Sequence, residues 1–230
     1  MNANTALSEP DRQEIEEAIG RAEANTAAEI VCAVATQSGW YERAEAIVGL
    51  VFALLALALA HAFYSWLTID PGSWATGALG LGGQAAAVVF GFVIGNVLAT
   101  RVMWLRRPFI FASEIEHRVR RAAAYVFAID SVGDTDSNTG LLIYCSLFER
   151  RIVILADRST REALGDEGIA HLRDLAVDDL KRGEFKKAFI DVIEAAAPKL
   201  AEALPADRDV NPNELANHVR LYHPRPSASE

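Results

Sequence analysis

Two long apolar runs constrain this chain more than any other feature. From Ile47 to Leu67 the sequence is apolar apart from Gly49, His61, Tyr64 and Ser65, and a second run extends from about Leu79 to Leu98. Each is close to the roughly 20 residues that a helix needs to cross a hydrocarbon core about 30 Å thick. Trp40 and Tyr41 precede the first run, and Tyr64 and Trp66 lie at its far end. Aromatic side chains in those places match the belts at a membrane–water interface. The connector from Thr68 to Gly83 is Gly-rich and holds the turn signal Asp70-Pro71-Gly72-Ser73. The pair predicts a two-helix transmembrane hairpin. A helical hairpin buried in a large soluble core is the competing reading, and both runs are long and apolar for it.

Charge orients the hairpin. The connector has no Lys or Arg, whereas the second run is followed by Arg101, Arg106 and Arg107, with Trp104 among them and Pro108 behind them. Arg43, before the first run, is flanked by Glu42 and Glu45. By the positive-inside rule both ends of the hairpin face the cytoplasm, so both termini are expected there. Gly91 and Gly95 form a small-x-x-x-small pair, with Asn96 beside them, that lets two helices approach closely. The partner helix is either the other arm of the hairpin or a second copy of the chain. His61, Asn96 and Arg101 are too few, and too near the ends, to line a transport pathway.

The rest of the chain reads as globular. Ser8-Glu9-Pro10-Asp11 is a helix start, with a capping serine, a proline in the first turn and an acid three residues on. Ile15, Ala18, Ile19 and Ala22 follow at helical spacing, and the helix is expected to end near Ala24–Asn25. Glu29 to Ala35 is an apolar strand, closed by Thr36 to Gly39. Beyond the hairpin, Ile115, Val119, Ala122, Ala123 and Val126 mark one face of an amphipathic helix. A polar loop, Asp130 to Asn138, leads to two further strands, Leu141–Leu147 and Arg151–Ala156, joined through Glu149 and Arg150. Two helices finish the domain: the first ends at Gly183, and the second should bend or stop at Pro198. The tail from Pro205 to Glu230 is polar and Pro-containing, and reads as an arm rather than core.

A helical crossover between the first two strands favours parallel pairing, and a short turn between the last two requires antiparallel pairing. The expected fold is α/β: a small mixed β-sheet flanked by helices, with a two-helix transmembrane hairpin inserted after the first strand. The expected segments are 1–40 for the first helix and strand, 41–107 for the hairpin, 108–204 for the remainder of the domain and 205–230 for the arm.

The formal net charge of −9 over 230 residues argues against a nucleic-acid binder, whose footprint is a basic face. Cys32 and Cys145 lie in separate apolar strands with no Cys-x-x-Cys spacing, so they are read as buried thiols. The first ten residues have neither a basic start nor an apolar core, which argues against a signal peptide.

Several residues together resemble the TPM domain family. They are the Glu29-Ile30-Val31 strand after an N-terminal helix, the strand Thr139-Gly140-Leu141-Leu142-Ile143-Tyr144, the Glu149-Arg150 turn, Asp157, and Asn213-Glu214-Leu215 after the last helix. The likeness covers about residues 7 to 40 and 108 to 217, and order and spacing carry it rather than one motif. It implies a membrane-anchored bacterial member of the family, located in the inner (cytoplasmic) membrane. The family is named partly for a thylakoid lumenal protein. Acid phosphatase activity and divalent-metal binding are attributed to some relatives, and others act as accessory proteins of membrane complexes. Two features depart from that pattern. The chain runs Leu155-Ala156-Asp157-Arg158-Ser159 where the family has a glycine-rich segment, and its apolar runs interrupt the domain instead of flanking it.

Asp157 is the leading site candidate, because it ends a buried strand at a position where ligands often sit in open α/β sheets. With Glu29, or with Asp134 or Asp136 from the polar loop, it would offer oxygen ligands suited to Ca²⁺ or Mg²⁺, able to hold a phosphate or a water nucleophile. The alternative is that Asp157 caps the next helical turn and the loop acids are solvated. Asp134 and Asp136 lack the remainder of an EF-hand loop. Glu149 and Arg150 either anchor an anion or partner, or are an exposed turn pair. His117, His171, His218 and His223 have no second ligand at metal spacing. The chain contains no Gly-x-Ser-x-Gly elbow, phosphate-cradling Gly-rich loop or His-Glu-x-x-His. The sequence therefore supports first a cytoplasmic-side interaction or accessory module anchored in the bilayer, with a membrane protein partner or a second copy. The alternative is a divalent-metal-dependent phosphatase using Asp157 and neighbouring carboxylates.

Overall fold

The computed structural model describes residues 2–68, 78–133, 138–206 and 215–226. Helix α1 (Ala3–Ala6) and helix α2 (Glu9–Glu23) lead into strand β1 (Glu29–Ala35). Two long helices follow, α3 (Glu42–Leu67) and α4 (Leu81–Arg101), then the short α5 (Met103–Arg106) and a 3₁₀ turn over Arg107–Phe109. Helix α6 (Ala112–Ile129), strands β2 (Gly140–Ser146) and β3 (Arg151–Ala156), and helices α7 (Arg158–Arg182) and α8 (Phe185–Ala203) come next. Strand β4 (Arg220–Tyr222) completes the order. The chain divides into two compact units, one of residues 1–39 and 115–230 and one of residues 40–114.

The first unit is built on a four-stranded mixed sheet of order β3-β2-β1-β4. β1 pairs parallel with β2 from Glu29↔Gly140 to Ala35↔Ser146, and β2 pairs antiparallel with β3 from Leu141↔Ala156 to Ser146↔Arg151. Every residue of β1 and β2 is buried, as their uninterrupted apolar sequences require of strands covered on both faces. The alternating side chains divide cleanly. Ile30, Cys32, Val34, Leu141, Ile143 and Cys145 pack with α2, α7 and α8, while Val31, Ala33, Ala35, Leu142 and Tyr144 pack with Val119, Ala122, Ala123 and Val126 of α6. Both cysteines are buried free thiols, and burial raises both thiol pKa values, that of Cys145 to about 12.

Four local signals act as the residue chemistry dictates. Ser8 accepts the Asp11 N–H and Asp11 reaches back to Ser8, a capping box that starts α2. Gly183, at φ 80°, ends α7 in the left-handed conformation. A second left-handed glycine, Gly165 (φ 68°, ψ 162°), divides α7 into two segments that share one helical span. Asp157 caps the first of them.

Two expectations are sharpened. Pro198 does not stop α8, which runs on to Ala203. Packing outweighs the missing hydrogen bond, with Val192, Ile193, Ala196 and Leu200 all in the core. The tail is also more than an arm. Arg220, Leu221 and Tyr222 pair parallel with Ala33, Val34 and Ala35, and Val219 and Tyr222 are buried. Tyr222 donates its hydroxyl to Asp130 Oδ2 at 2.8 Å, which ties Asp130 to β4.

The second unit is the helical hairpin. α3 and α4 are both long and apolar enough to cross a membrane. They meet along glycines. A Cβ on Gly91 would lie 2.6 Å from Ala56 Cβ and 2.7 Å from the Phe52 carbonyl oxygen, and one on Gly95 would lie 2.5 Å from Phe52 Cβ. The small-x-x-x-small pair thus packs one arm of the hairpin onto the other, with Asn96 half-buried beside it. Most of the remaining large apolar side chains, such as Leu54, Leu59, Phe63, Phe90 and Val93, point outward. At the base, the buried Arg106 forms an ion pair with Glu45 and sits 5.9 Å from the centre of the Tyr41 ring.

Candidate functional site

The antiparallel run of β3 decides which residues meet. Because β3 opposes β1 and β2, Asp157 at the end of β3 lies at the edge where the parallel strands begin. Ligand sites of open α/β sheets favour the opposite edge, outside the carboxyl ends of parallel strands. The two edges carry different polar clusters.

At the amino edge, Glu29 pairs with Gly140, and the Asp157 N–H donates to the Gly140 carbonyl at 2.8 Å. Gly140 therefore stands between the two acids, at about 4.8 Å per strand spacing. A side chain there is excluded, since its Cβ would come within 1.8 Å of the Val132 carbonyl oxygen. Asp157 serves as the N-cap of α7, with Oδ1 accepting the Arg158 N–H at 2.7 Å. Its Oδ2 is enclosed and makes no hydrogen bond among the described residues. Asn138 lies close by, where its carbonyl accepts the Ser159 N–H at 3.1 Å. Asp134 and Asp136 lie outside the described residues. Glu29 is buried, and its Oε2 accepts the Leu215 N–H at 3.2 Å.

Beside Glu29 is a carboxylate that the sequence reading passes over. Glu23 closes α2, and its Oε1 accepts the Ile30 N–H at 2.8 Å. Burial pushes its pKa up to about 8; the neighbouring Glu29 charge adds to that shift, while hydrogen bonds from the Ile30 N–H and the Asn217 side chain offset part of it. An acid in the last turn of a helix opposes the helix dipole, and that misplacement is the signal that could have found it.

A divalent cation would need several oxygen donors converging on one point. Asp157 Oδ2 is of the right chemical kind, and Glu29 stands on the second strand over. Among the described residues, however, no three His, Cys, Asp or Glu side chains gather closely enough to hold an ion. The donor set among the described residues falls short of a metal centre.

At the carboxyl edge, of the two readings of Glu149 the exposed turn residue fails. The turn after β2 buries it, at 3% accessibility. Its Oε1 accepts the Ser38 N–H at 2.8 Å and its Oε2 accepts the Ser146 hydroxyl at 2.5 Å. The Ser38 hydroxyl donates to Ser146 at 2.6 Å and lies 2.9 Å from the Tyr144 hydroxyl. Burial raises the Tyr144 phenol. The Leu147 and Phe148 N–H groups donate to the carbonyls of Ala35 and Thr36, extending the β1–β2 ladder into the turn. Glu149 thus locks the end of β1 to the β2–β3 turn, immediately before the chain departs for the hairpin. Arg150 points the other way, exposed, with φ 52°. His117, His171 and His218 are exposed, and His223 Nδ1 lies 2.9 Å from the Thr36 hydroxyl.

Comparison with known proteins agrees with the sheet. Residues 112–199, covering α6, β2, β3, α7 and most of α8, match the family model of the TPM domain. Among solved structures, the NMR structure of the BA42 protein from the psychrophilic bacterium Bizionia argentinensis is similar, with a TM-score of 0.55 and 20% identity. The alignment covers 93% of this chain and 94% of that one, and at this identity it speaks for the fold alone. No curated protein matches. Of the residues that resemble the family, Thr139 to Tyr144, Glu149, Arg150 and Asp157 lie inside the matched segment and Glu29 to Val31 and Asn213 to Leu215 lie outside it: residues 112–199 are the part of this chain that matches the TPM domain.

Proposed function

We propose that the chain is an integral protein of a bacterial inner membrane whose TPM domain serves, on the cytoplasmic side, as an interaction or accessory module for a membrane process. One observation carries this reading. Two helices of membrane-spanning length expose their large apolar side chains outward, and they are inserted between β1 and α6, inside the domain. Both chain connections to the hairpin come from the folded domain, so the domain cannot diffuse away from the bilayer that holds it. Lipid is the environment that makes such exposed side chains favourable. The absence of Lys and Arg from the connector, against Arg101, Arg106 and Arg107 at the other end, supports cytoplasmic termini. A membrane protein, or a second copy of this chain, is the partner class that such tethering favours.

Native gel electrophoresis of gently solubilised membranes tests the module reading. The full chain should migrate in a stoichiometric complex that survives solubilisation, and a chain that migrates only as a monomer at every expression level contradicts the reading.

A second reading, phosphate-ester hydrolysis assisted by Ca²⁺ or Mg²⁺, is favoured by the enclosed Asp157 Oδ2, which has no hydrogen bond among the described residues. On that reading Asp134 and Asp136 complete the donor set with Asp157 and Glu29. Purified full chain should release phosphate from a generic ester when either ion is added, and Asp157→Asn should abolish the release.

A further inference from the structure

The arginines that follow the second long helix do not share one role. Arg106 is internal, at 4% exposure, and is committed to Glu45 and the Tyr41 ring. Arg101 and Arg107 are exposed, and among the described residues neither makes an ion pair. Between them Trp104 is 72% exposed, and beyond them Phe111 is 59% exposed with the Arg43 guanidinium 5.2 Å from its ring centre. Large aromatic side chains and unpaired guanidinium groups therefore alternate along the short foot of the hairpin, where the apolar surface of α4 stops.

Water alone would suit the arginines but not Trp104 and Phe111, and hydrocarbon would suit the aromatics but not the arginines. The headgroup layer of a bilayer accepts both. Arginine presents a planar fork of donors that matches phosphate oxygens. The four arginines of this unit, Arg43, Arg101, Arg106 and Arg107, are balanced by Glu42, Glu45, Asp70 and Glu114, so any selectivity has to come from Arg101 and Arg107 at short range.

We infer that this foot is a binding surface for anionic phospholipid headgroups, with Arg101 and Arg107 contacting the phosphates and Trp104 and Phe111 seated at the headgroup–acyl boundary. The inference rests on the membrane-anchored reading above and adds a lipid class to it. A basic side chain near an anionic surface is worth about a fivefold preference, so two of them with partial opposition from the acids should give at least a threefold preference, by the same order-of-magnitude rule.

The test uses the full chain with Trp104 as its sole tryptophan (Trp40→Phe, Trp66→Phe, Trp74→Phe), reconstituted in phosphatidylcholine vesicles. Brominated phosphatidylglycerol or brominated phosphatidylcholine is added at equal mole fraction, and fluorescence quenching is compared. The anionic quencher should act with at least about a threefold higher association constant, and the double variant Arg101→Gln/Arg107→Gln should bring the two quenchers level. The same double change at Arg173 and Arg182, on α7, should leave the preference intact. Equal quenching in an inserted wild-type chain overturns the inference while leaving the anchor standing. A preference that persists in the Arg101/Arg107 variant overturns the assignment to these residues. A chain that washes off the vesicles at alkaline pH removes the anchored reading, and this inference with it.

Discussion

Both edges of the sheet hold carboxylates, Glu149 at one and Glu23, Glu29 and Asp157 at the other, and treat them differently. At the carboxyl edge, both oxygens of Glu149 meet donors, and Ser38, Ser146 and Tyr144 are wired to one another in a closed set. At the amino edge, Asp157 keeps one enclosed oxygen without a hydrogen bond among the described residues, and half-buried Glu23 neighbours buried Glu29, whose charge helps raise its pKa. A buried polar group that is fully satisfied stabilises the fold, whereas one left unsatisfied costs free energy and needs another reason to persist. Glu149 is therefore a structural lock, whereas Asp157 at the amino edge carries an oxygen left unsatisfied among the described residues.

The largest expected effect lies at the lock. Glu149→Ala strands the Ser38 N–H and the Ser146 hydroxyl in the interior, at a cost of about 3 kcal/mol. Thermal unfolding of the full chain in detergent should move down by about 10 °C, as such a loss does in chains of this size. An unchanged melting temperature would break the comparison at its stronger side. Gly140→Ala comes next, at about 2 kcal/mol, because the Val132 carbonyl occupies the space a methyl group needs. A loop that gives way easily would show as a loss well below that figure in the same melt.

Glu23 supplies a pH dependence at the other edge. Its folded-state pKa of about 8 lies above its ordinary value of 4.5, so the folded chain holds a proton that the unfolded chain releases between those values. Its stabilising contribution is complete below about pH 4.5 and is lost as pH rises through 8. Glu23→Gln should flatten the decline of melting temperature over that window, an effect on the order of a few degrees at its alkaline end. Parallel curves for wild type and variant would show that Glu23 stays ionised in the fold. Asp157 gives the smallest change. Asp157→Ala removes a helix cap for about 1 kcal/mol, and Asp157→Asn, an equally good cap, should cost only a few tenths. A loss from Asp157→Asn as large as that from Glu149→Ala would erase the distinction between the edges.

The sequence displayed the elements better than it displayed their company. Uninterrupted apolar strands, the Ser8 capping box, the terminating Gly183 and two long apolar runs are local patterns, and each appears in the structure within a few residues of its expected place. β4 was hidden because three residues, Arg220-Leu221-Tyr222, carry too little pattern to announce a strand; only the exposed edge of β1 makes them one. Glu149 looked exposed because a charged pair between two strands usually is. Its burial depends on Ser38, more than a hundred residues away in sequence. Asp157 was legible as a strand end, but which edge of the sheet it occupies follows from the antiparallel turn of β3. Gly91 and Gly95 announced a close helix contact, and the structure assigns it to α3 of the same chain.

The arrangement proposed above has the hairpin spanning a bilayer and the domain on the cytoplasmic side. Cysteine labelling of intact cells tests it directly, because the two native thiols are buried. With Ser73→Cys in the connector and, separately, Ser227→Cys near the C-terminus, a membrane-impermeant maleimide should label the connector in intact cells and the C-terminus only after lysis. Labelling of both positions in intact cells, or of neither, would contradict the account.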